Sequence, residues 1–418
     1  MRGEASGSLG SVPARTNPFD GGGSTLRRVC SIFSQILQLI PRDGFEAAVR
    51  EHKAERHARG FSSWGQFVAM LFCQLAQAKS LREITEGLQA SEGKLRHLGL
   101  PEAPARSTLA YANSHRPWQL FEAVFHELLA HCQKRLGVAK AGAKLGLPGK
   151  LLSLDATVID LCAAVFDWAQ FRTTKGAVKL HLLLDHDGYL PCYAVVTEGK
   201  VHEIQVARKL QLQRGTMLVF DRGYTDYEWF RRLTQDEVLF VTRLKDNATY
   251  IVVERREVNG AGVRADEIIV LEKQAWSETA PFLRRIRYWD ESNGRELVFL
   301  TNHLELPATT VAAVYKERWQ IELLFKALKQ NLRIKTFVGT TANALKTQIW
   351  TALIALLALK FLQLQATFPW SLSRLIALLR QQLFVYRDLW RWLESPFEPP
   401  MELTAGDSPQ LPLALGAW

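Results

Sequence analysis

Three acidic residues sit where a carboxylate is costly or out of place, and each is a candidate for chemistry. Asp155 interrupts the apolar, β-branched run "LLSLDATVIDL". An acid in such a strand is expensive unless it is paired, hydrogen-bonded or bound to a cation. Asp221 follows the buried-strand pattern "TMLVF" and opens the loop "DRGY", the kind of strand end at which open α/β sheets place reactive groups. Glu322 lies within "YKERWQIELLFKALKQNLR", residues 315–333. Wound at about 100° per residue, that segment puts Tyr315, Arg318, Lys326, Lys329 and Arg333 on one narrow stripe with Glu322 at its centre. Ile321, Leu324, Phe325, Leu328 and Leu332 gather on a different, core-facing side. Three such acids, converging, make a hard oxygen site for Mg²⁺ or Mn²⁺. Two such ions about 3.5–4 Å apart activate a water or hydroxyl and stabilise the leaving oxygen in phosphodiester chemistry. Arg318 and Lys329 would then grip phosphates on either side of the scissile position, and Tyr315 would hydrogen-bond a phosphate or stack on sugar or base. The plainer alternative for the stripe is a solvated face laced by salt bridges.

The elements that must position these residues can be sketched from pattern. Residues 1–25 are rich in Gly, Ser and Pro and lack apolar periodicity, which reads as a disordered tail. Residues 26–145 are helical in texture, with apolar residues three and four apart in "SIFSQILQLI" and "SWGQFVAMLFCQLAQA". Ser80 and Glu83 fit a capping box. The polar segment "RSTLAYANSHR" offers Arg106 and Arg116 among groups able to touch phosphates or bases, and with the preceding short helix it resembles a helix-turn-helix. An ordinary helical bundle with a wet face fits the same pattern. Residues 146–245 read as three antiparallel-style strands, a helix, a strand, a helix and a strand, a mixed α/β sheet. The helices are placed in "HEIQVARKLQL" and "YTDYEWFRRL", and the hairpin turn at Asp187-Gly188. Residues 246–296 form a β-rich insertion, 297–340 return to the sheet and the cationic helix, and 341–418 are helical before a Pro-rich tail. The run "IWTALIALLAL" is too short to span a bilayer before Lys360, so it predicts a buried helix.

A formal net charge of +10 and a pI near 9.4 favour a polyanionic partner, nucleic acid before membrane surface. Five scattered cysteines with no CxxC or Cys/His spacing predict reduced thiols, no zinc site and a cytoplasmic setting. The sequence has no GxSxG, Walker loop, GxGxxG or HExxH, which removes the usual support for serine-hydrolase, nucleotide-motor, dinucleotide and zincin readings. Among competing acids, Asp160 lies five residues beyond Asp155 and points to the opposite face of an extended strand. Asp185 and Asp187 flank a turn, Asp226 suits a helix start, Glu317 is placed to pair with a neighbouring cation, and His202 with Glu203 suits capping or packing.

Tyr315, Arg318, Glu322 and Lys329 also spell Y-x2-R-x3-E-x6-K. That spacing resembles the signature of the fourth family of bacterial insertion-sequence transposases, which carry a DDE triad on a ribonuclease-H-like fold. "LDATVIDL" resembles the family's first-Asp strand and "VFDRGYTDYEWF" its second-Asp strand and loop. The family's β-rich insertion lies between the second Asp and the Glu, and the resemblance covers about Leu151 to Val338. It implies Asp155, Asp221 and Glu322 as catalytic, metal-binding acids with Mg²⁺ or Mn²⁺ as cofactor. Tyr315, Arg318 and Lys329 become contacts to transposon-end DNA, with Lys326, Arg333, Arg222, Arg106 and Arg116 as further candidates. Arg222, Gly223 and Tyr224 form the loop after the second acid, with Gly223 expected to permit a turn that a bulkier residue would hinder. Some family members stack an insertion-domain Trp on a flipped base; Trp276 and Trp289 are candidates, core packing being the commoner fate of either. A homodimer pairing two ends, bound to end and target DNA near the nucleoid and not to a membrane, is the family's implication. The expected reaction is phosphodiester hydrolysis at the terminal inverted repeats, then strand transfer by the freed 3′-hydroxyl. The alternatives are a ribonuclease-H-like nuclease that does not join strands, and an end-binding protein or repressor without catalysis.

Overall fold

The computed structural model describes residues 30–398, apart from 57, 59, 92, 137–140, 163–164, 173–174 and 273–279. The chain opens with helices α1 (Ile32–Leu37), α2 (Arg42–Glu51), α3 (Ser63–Ala76), α4 (Leu81–Gln89), α5 (Arg106–His115), α6 (Gln119–Arg135) and α7 (Ala141–Lys144). Starts follow local chemistry: Ser31, Ser62 and Ser80 each accept from a backbone N–H two or three residues into the helix they begin. Glu83 completes the cap of α4 by accepting from the N–H of Lys79 at 2.9 Å. The connection from α4 to α5 spans residues 90–105 and includes a 3₁₀ turn. That is far longer than the three or four residues of a helix-turn-helix, so the compact motif expected there does not form, although α4 and α5 do touch.

Strands β1 (Leu151–Leu161), β2 (Gln170–Arg172), β3 (Lys175–Asp185) and β4 (Leu190–Glu198) lead through the short helix α8 (Glu203–Ala207) to β5 (Met217–Phe220), α9 (Tyr227–Gln235) and β6 (Leu239–Arg243). β4 and β2 both pair with β3, β3 pairs antiparallel with β1, and β1, β5 and β6 run parallel. An antiparallel meander continued by two parallel strands is the ribonuclease-H-like order. The sheet does not stop there. β7 (Tyr250–Arg255), β8 (Val263–Leu271), β9 (Leu283–Asp290) and β10 (Arg295–Thr301) extend it antiparallel in the order β6-β10-β9-β8-β7. The β texture read for residues 246–296 is therefore not a separate lobe but a continuation of the same sheet. Cross-strand ion pairs knit it, Arg285 to Glu267 at 2.6 Å and Arg287 to Glu296 at 2.8 Å. Arg284 forms a buried pair with Asp266 at 2.5 Å and also donates to the carbonyls of Leu304 and Leu306, pinning β9 to the loop before the next helix.

Helices α10 (Ala308–Glu317) and α11 (Trp319–Asn331) follow, almost continuous, with Arg318 the single residue between them. Then come α12 (Ala342–Gln365), α13 (Leu372–Gln382) and α14 (Leu389–Glu394). α12 alone, among the described residues, is long and apolar enough to cross a membrane. It is instead the hub of the helical core, packed by α6, α3, α5 and α13, which is where so apolar a helix is stable in water. One apolar cluster joins this helical half to α11 and to β1, β3 and β4; two others lie under α9 and under α10.

Candidate active site

β1 and β5 are in parallel register, with Leu154 opposite Phe220. The next residue after each is an acid, so Asp155, in mid-β1, and Asp221, just past the end of β5, are neighbours. Asp221 Oδ1 caps the following 3₁₀ turn by accepting from the Gly223 N–H at 2.7 Å, and Asp155 Oδ1 accepts from the Ala156 N–H at 2.8 Å. α11 lies across β1, burying Ile321, Leu324, Phe325 and Leu328, and this turns Glu322 toward the two aspartates. Between them stands Arg318, whose guanidinium reaches Asp155 Oδ2 at 3.5 Å and Glu322 Oε1 at 2.5 Å. The Asp155 carboxyl is pushed up to about 6, mainly by burial, with the charges of Asp221 and Glu322 adding to the rise and the Ala156 N–H and Arg318 opposing it. The sheet register sets Asp155 beside Asp221, and Arg318 links Asp155 to Glu322. As they stand, with a guanidinium among them, no group of three or more His, Cys, Asp or Glu among the described residues is set to hold a metal ion.

The cationic residues divide. Lys326 is exposed. Lys329 is half-buried and donates to the Val158 carbonyl of β1 at 2.8 Å, with two further N–H donors to offer. Tyr315 packs its ring on Phe299, centroids 5.1 Å apart, and burial raises its phenol, which keeps it a neutral hydrogen-bonding group. Arg222 pairs with exposed Asp246 at 3.2 Å, in an open depression beside Asp221. Arg106, the first residue of α5, is exposed.

Several expectations need correction. α11 ends at Asn331 because Leu332 turns to an extended conformation, so Arg333 is not on the helical stripe. Its guanidinium donates to the Gln77 carbonyl at the end of α3, and it serves packing. Arg116 likewise spends its guanidinium on the carbonyls of Phe61 and Ser62, locking α5 to the start of α3. Gly223 has no positive φ, and a Cβ there would meet Asp221 at an ordinary 3.6 Å, so the turn does not require glycine. Trp289 is 38% exposed, and Trp276 lies outside the described residues. Among the described residues, no Lys or Arg pairs with Glu317. Tyr189 donates to it at 3.3 Å, and the His186 ring, 3.6 Å away, is driven down to about 4 by burial and is neutral near pH 7.

His186 also meets Ser153 Oγ at 2.7 Å, so a buried polar contact lies two residues before Asp155 and one before Arg318. Nothing in the sequence points to this contact, because it joins three separate segments. Trp319 is 55% exposed and lines a cleft with Tyr315, Arg318 and the β9–β10 turn; an exposed Trp directly after Arg318 was the available signal.

A family model described as a transposase DDE domain matches residues 147–358, and a second, described as a domain of unknown function, matches residues 29–101. A Sinorhizobium fredii protein described as a transposase is 32% identical over 294 residues, covering 69% of this chain and 80% of the relative. A transposase for insertion sequence element IS5377 of Geobacillus stearothermophilus is 27% identical over 261 residues, covering 61% and 67%. Among solved structures, the piggyBac transposase synaptic complex with hairpin DNA has a TM-score of 0.45 at 11% identity, covering 90% of this chain and 84% of that one, a likeness too loose to argue from. Over half its length, and with a relative at this identity, the chain belongs to the DDE transposases of insertion sequences, enzymes of DNA transposition that cut and join DNA.

Proposed function

We propose that Asp155, Asp221 and Glu322 are the triad of this transposase and hold its divalent ions, Mg²⁺ or Mn²⁺. The observation that carries this is the placement of Asp155 beside Asp221, with Arg318 bridging to Glu322. An all-oxygen donor set of three carboxylates suits a hard divalent ion, and the guanidinium already there is a stand-in positive charge. Ions bound at the site supply a water or hydroxyl activated for attack and a counter-charge for the leaving oxygen. The protein's own residues do the rest. Asp155 and Asp221 are fixed by the Ala156 and Gly223 N–H groups, so their free oxygens are already aimed. Arg318 exchanges its carboxylates for a DNA phosphate, a trade of one charge-assisted contact for another, and the acids it releases become available to cations. Lys329 and Lys326 track the phosphates beyond, and Tyr315 positions the backbone by hydrogen bonding or stacking. Arg222 and Arg106 are further phosphate contacts.

The reaction proposed is hydrolysis at each inverted-repeat end of the element, followed by attack of the freed 3′-hydroxyl on target DNA. A homodimer pairs the two ends, at DNA in the cytoplasm. Residues 26–145 serve mainly DNA binding. Residues 146–245 and 297–340 form the catalytic core, with 246–296 as the insertion.

The test uses duplexes made from the DNA flanking the gene, with Mg²⁺ and a plasmid target. Nicking at the element's end and joining of a pre-cleaved end to plasmid are expected. Both should fall by at least about a thousandfold in Asp155→Ala, Asp221→Ala and Glu322→Ala, with end binding largely kept. Cleavage that survives these substitutions overturns the assignment; cleavage without joining favours a nuclease.

A further inference from the structure

A second concave surface lies in the helical region that matches only a domain of unknown function and the helix after it. It is a cleft of about 940 Å³ between the turn that ends α2 and the outer face of α5. Lys53 and Arg56 form one wall; Ser107, Thr108, Tyr111 and His115 form the other. Among the described residues, no carboxylate lines it. The nearby Glu55 is turned to the start of α3, where it accepts from the Ser63 N–H.

Two details shape the walls. Lys53 has φ 51°, a left-handed conformation that is unfavourable for an L-residue. After a helix end such a position ordinarily goes to glycine. Here it goes to a lysine, as the same conformation after α3 goes to Gln77. On the facing helix, the Tyr111 and His115 rings stack at 4.0 Å and 17°, with Tyr111 64% exposed. His115 Nδ1 is engaged with the Tyr111 carbonyl at 2.9 Å, so the two rings are held as a face-to-face stack open to solvent. α5 itself is anchored from behind. Asn113 meets Gln66 at 2.9 Å, Asn343 donates to the Asn113 carbonyl at 2.8 Å, and Arg116 locks the end of the helix.

Unopposed cations on one wall, with hydroxyls and a rigid aromatic face on the other, match a sugar–phosphate strand flanked by its bases. We propose that this cleft is a second DNA-binding site that seats one strand of the duplex at the transposon end. Lys53 and Arg56 hold its phosphates and the Tyr111–His115 face lies against sugar or base. The inference rests on the transposase assignment for its ligand, but it uses none of the residues of the acidic site.

The test measures fluorescence anisotropy of a labelled end duplex and of a random-sequence duplex, at several salt concentrations and without divalent ions. Lys53→Gly with Arg56→Gln should weaken binding of both duplexes by about tenfold or more. It should also make the slope of log K against log salt shallower by about 1.8, roughly 0.9 per lost phosphate contact. Its thermal midpoint should be unchanged or higher, because glycine relieves the strained φ. Tyr111→Ala should weaken end binding with the salt slope intact. Asp155→Ala should bind as the unaltered protein does, so failure here is separable from failure of the acidic site. Unchanged affinity and slope in the double variant, or no duplex binding by the unaltered protein, overturns the proposal.

Discussion

The two cationic regions differ in what their positive charges face. Around β1 and α11, Arg318 is enclosed by Asp155 and Glu322 and largely buried. In the cleft beside α5, Lys53 and Arg56 are exposed and, among the described residues, no carboxylate lines the walls. An enclosed cation cannot draw DNA from a distance, whereas unopposed surface charge can, through fields that reach about a Debye length. On the proposed reading, the helical region captures DNA and the acidic site acts once DNA has displaced Arg318 from its carboxylates.

The most direct way to break this contrast is through metal binding. Arg318→Met should let the DNA-free protein bind Mn²⁺ about tenfold more tightly or better, since the acids lose their resident cation. Titration followed by electron paramagnetic resonance reads this directly. Adding end duplex should tighten Mn²⁺ binding in the unaltered protein and do little in the variant. Equal Mn²⁺ affinity in both proteins without DNA would mean Arg318 is no obstacle.

A second enclosed cation sharpens the comparison. Arg284, buried against Asp266, lies in the insertion strands. Arg284→Ala should cost about 3–5 kcal/mol, because it strands a buried carboxylate. That would appear as an earlier urea midpoint, with DNA affinity of the folded fraction unchanged.

The smallest effect is on pH. Because the Asp155 carboxyl is raised to about 6, a proton competes with a cation there above the ordinary carboxylate range. The Mn²⁺ concentration for half saturation should rise as pH falls below about 6, by about tenfold per unit at the limit. Asp155→Asn should flatten that rise. A dependence that begins only near pH 4 would contradict the burial of Asp155.

How far the sequence foretold this molecule depended on whether a signal was local. β1 begins and ends with the run read as a strand, because eight of its eleven residues are apolar or β-branched. The capping of α4 and the Asp226 cap of α9, whose side chain accepts from the Trp229 N–H, are likewise written in three or four residues. The tertiary joins were not legible. Arg333 and Arg116 looked like free cations because the carbonyls that bind them belong to other helices. "HEIQVARKLQL" has helical spacing, yet α8 stops at Ala207, with Leu210 buried against the sheet. The three acids were legible singly, as misplaced charges; the register that aligns two of them and the guanidinium that bridges to the third were not.

The pairing of β6 with β10, Arg243 opposite Phe299, means that the chain returns beside its point of departure after the whole β excursion. Residues between those partners behave as a cassette spliced into a hairpin. Its far strand, β7, is free to lengthen or shorten, but β8 and β9 pack under α10 and Arg284 holds the loop before that helix, so they bear on the placement of Glu322. Any replacement carries a further obligation: it must cover the outer edge of β10 or leave that edge too charged or irregular to recruit a foreign strand.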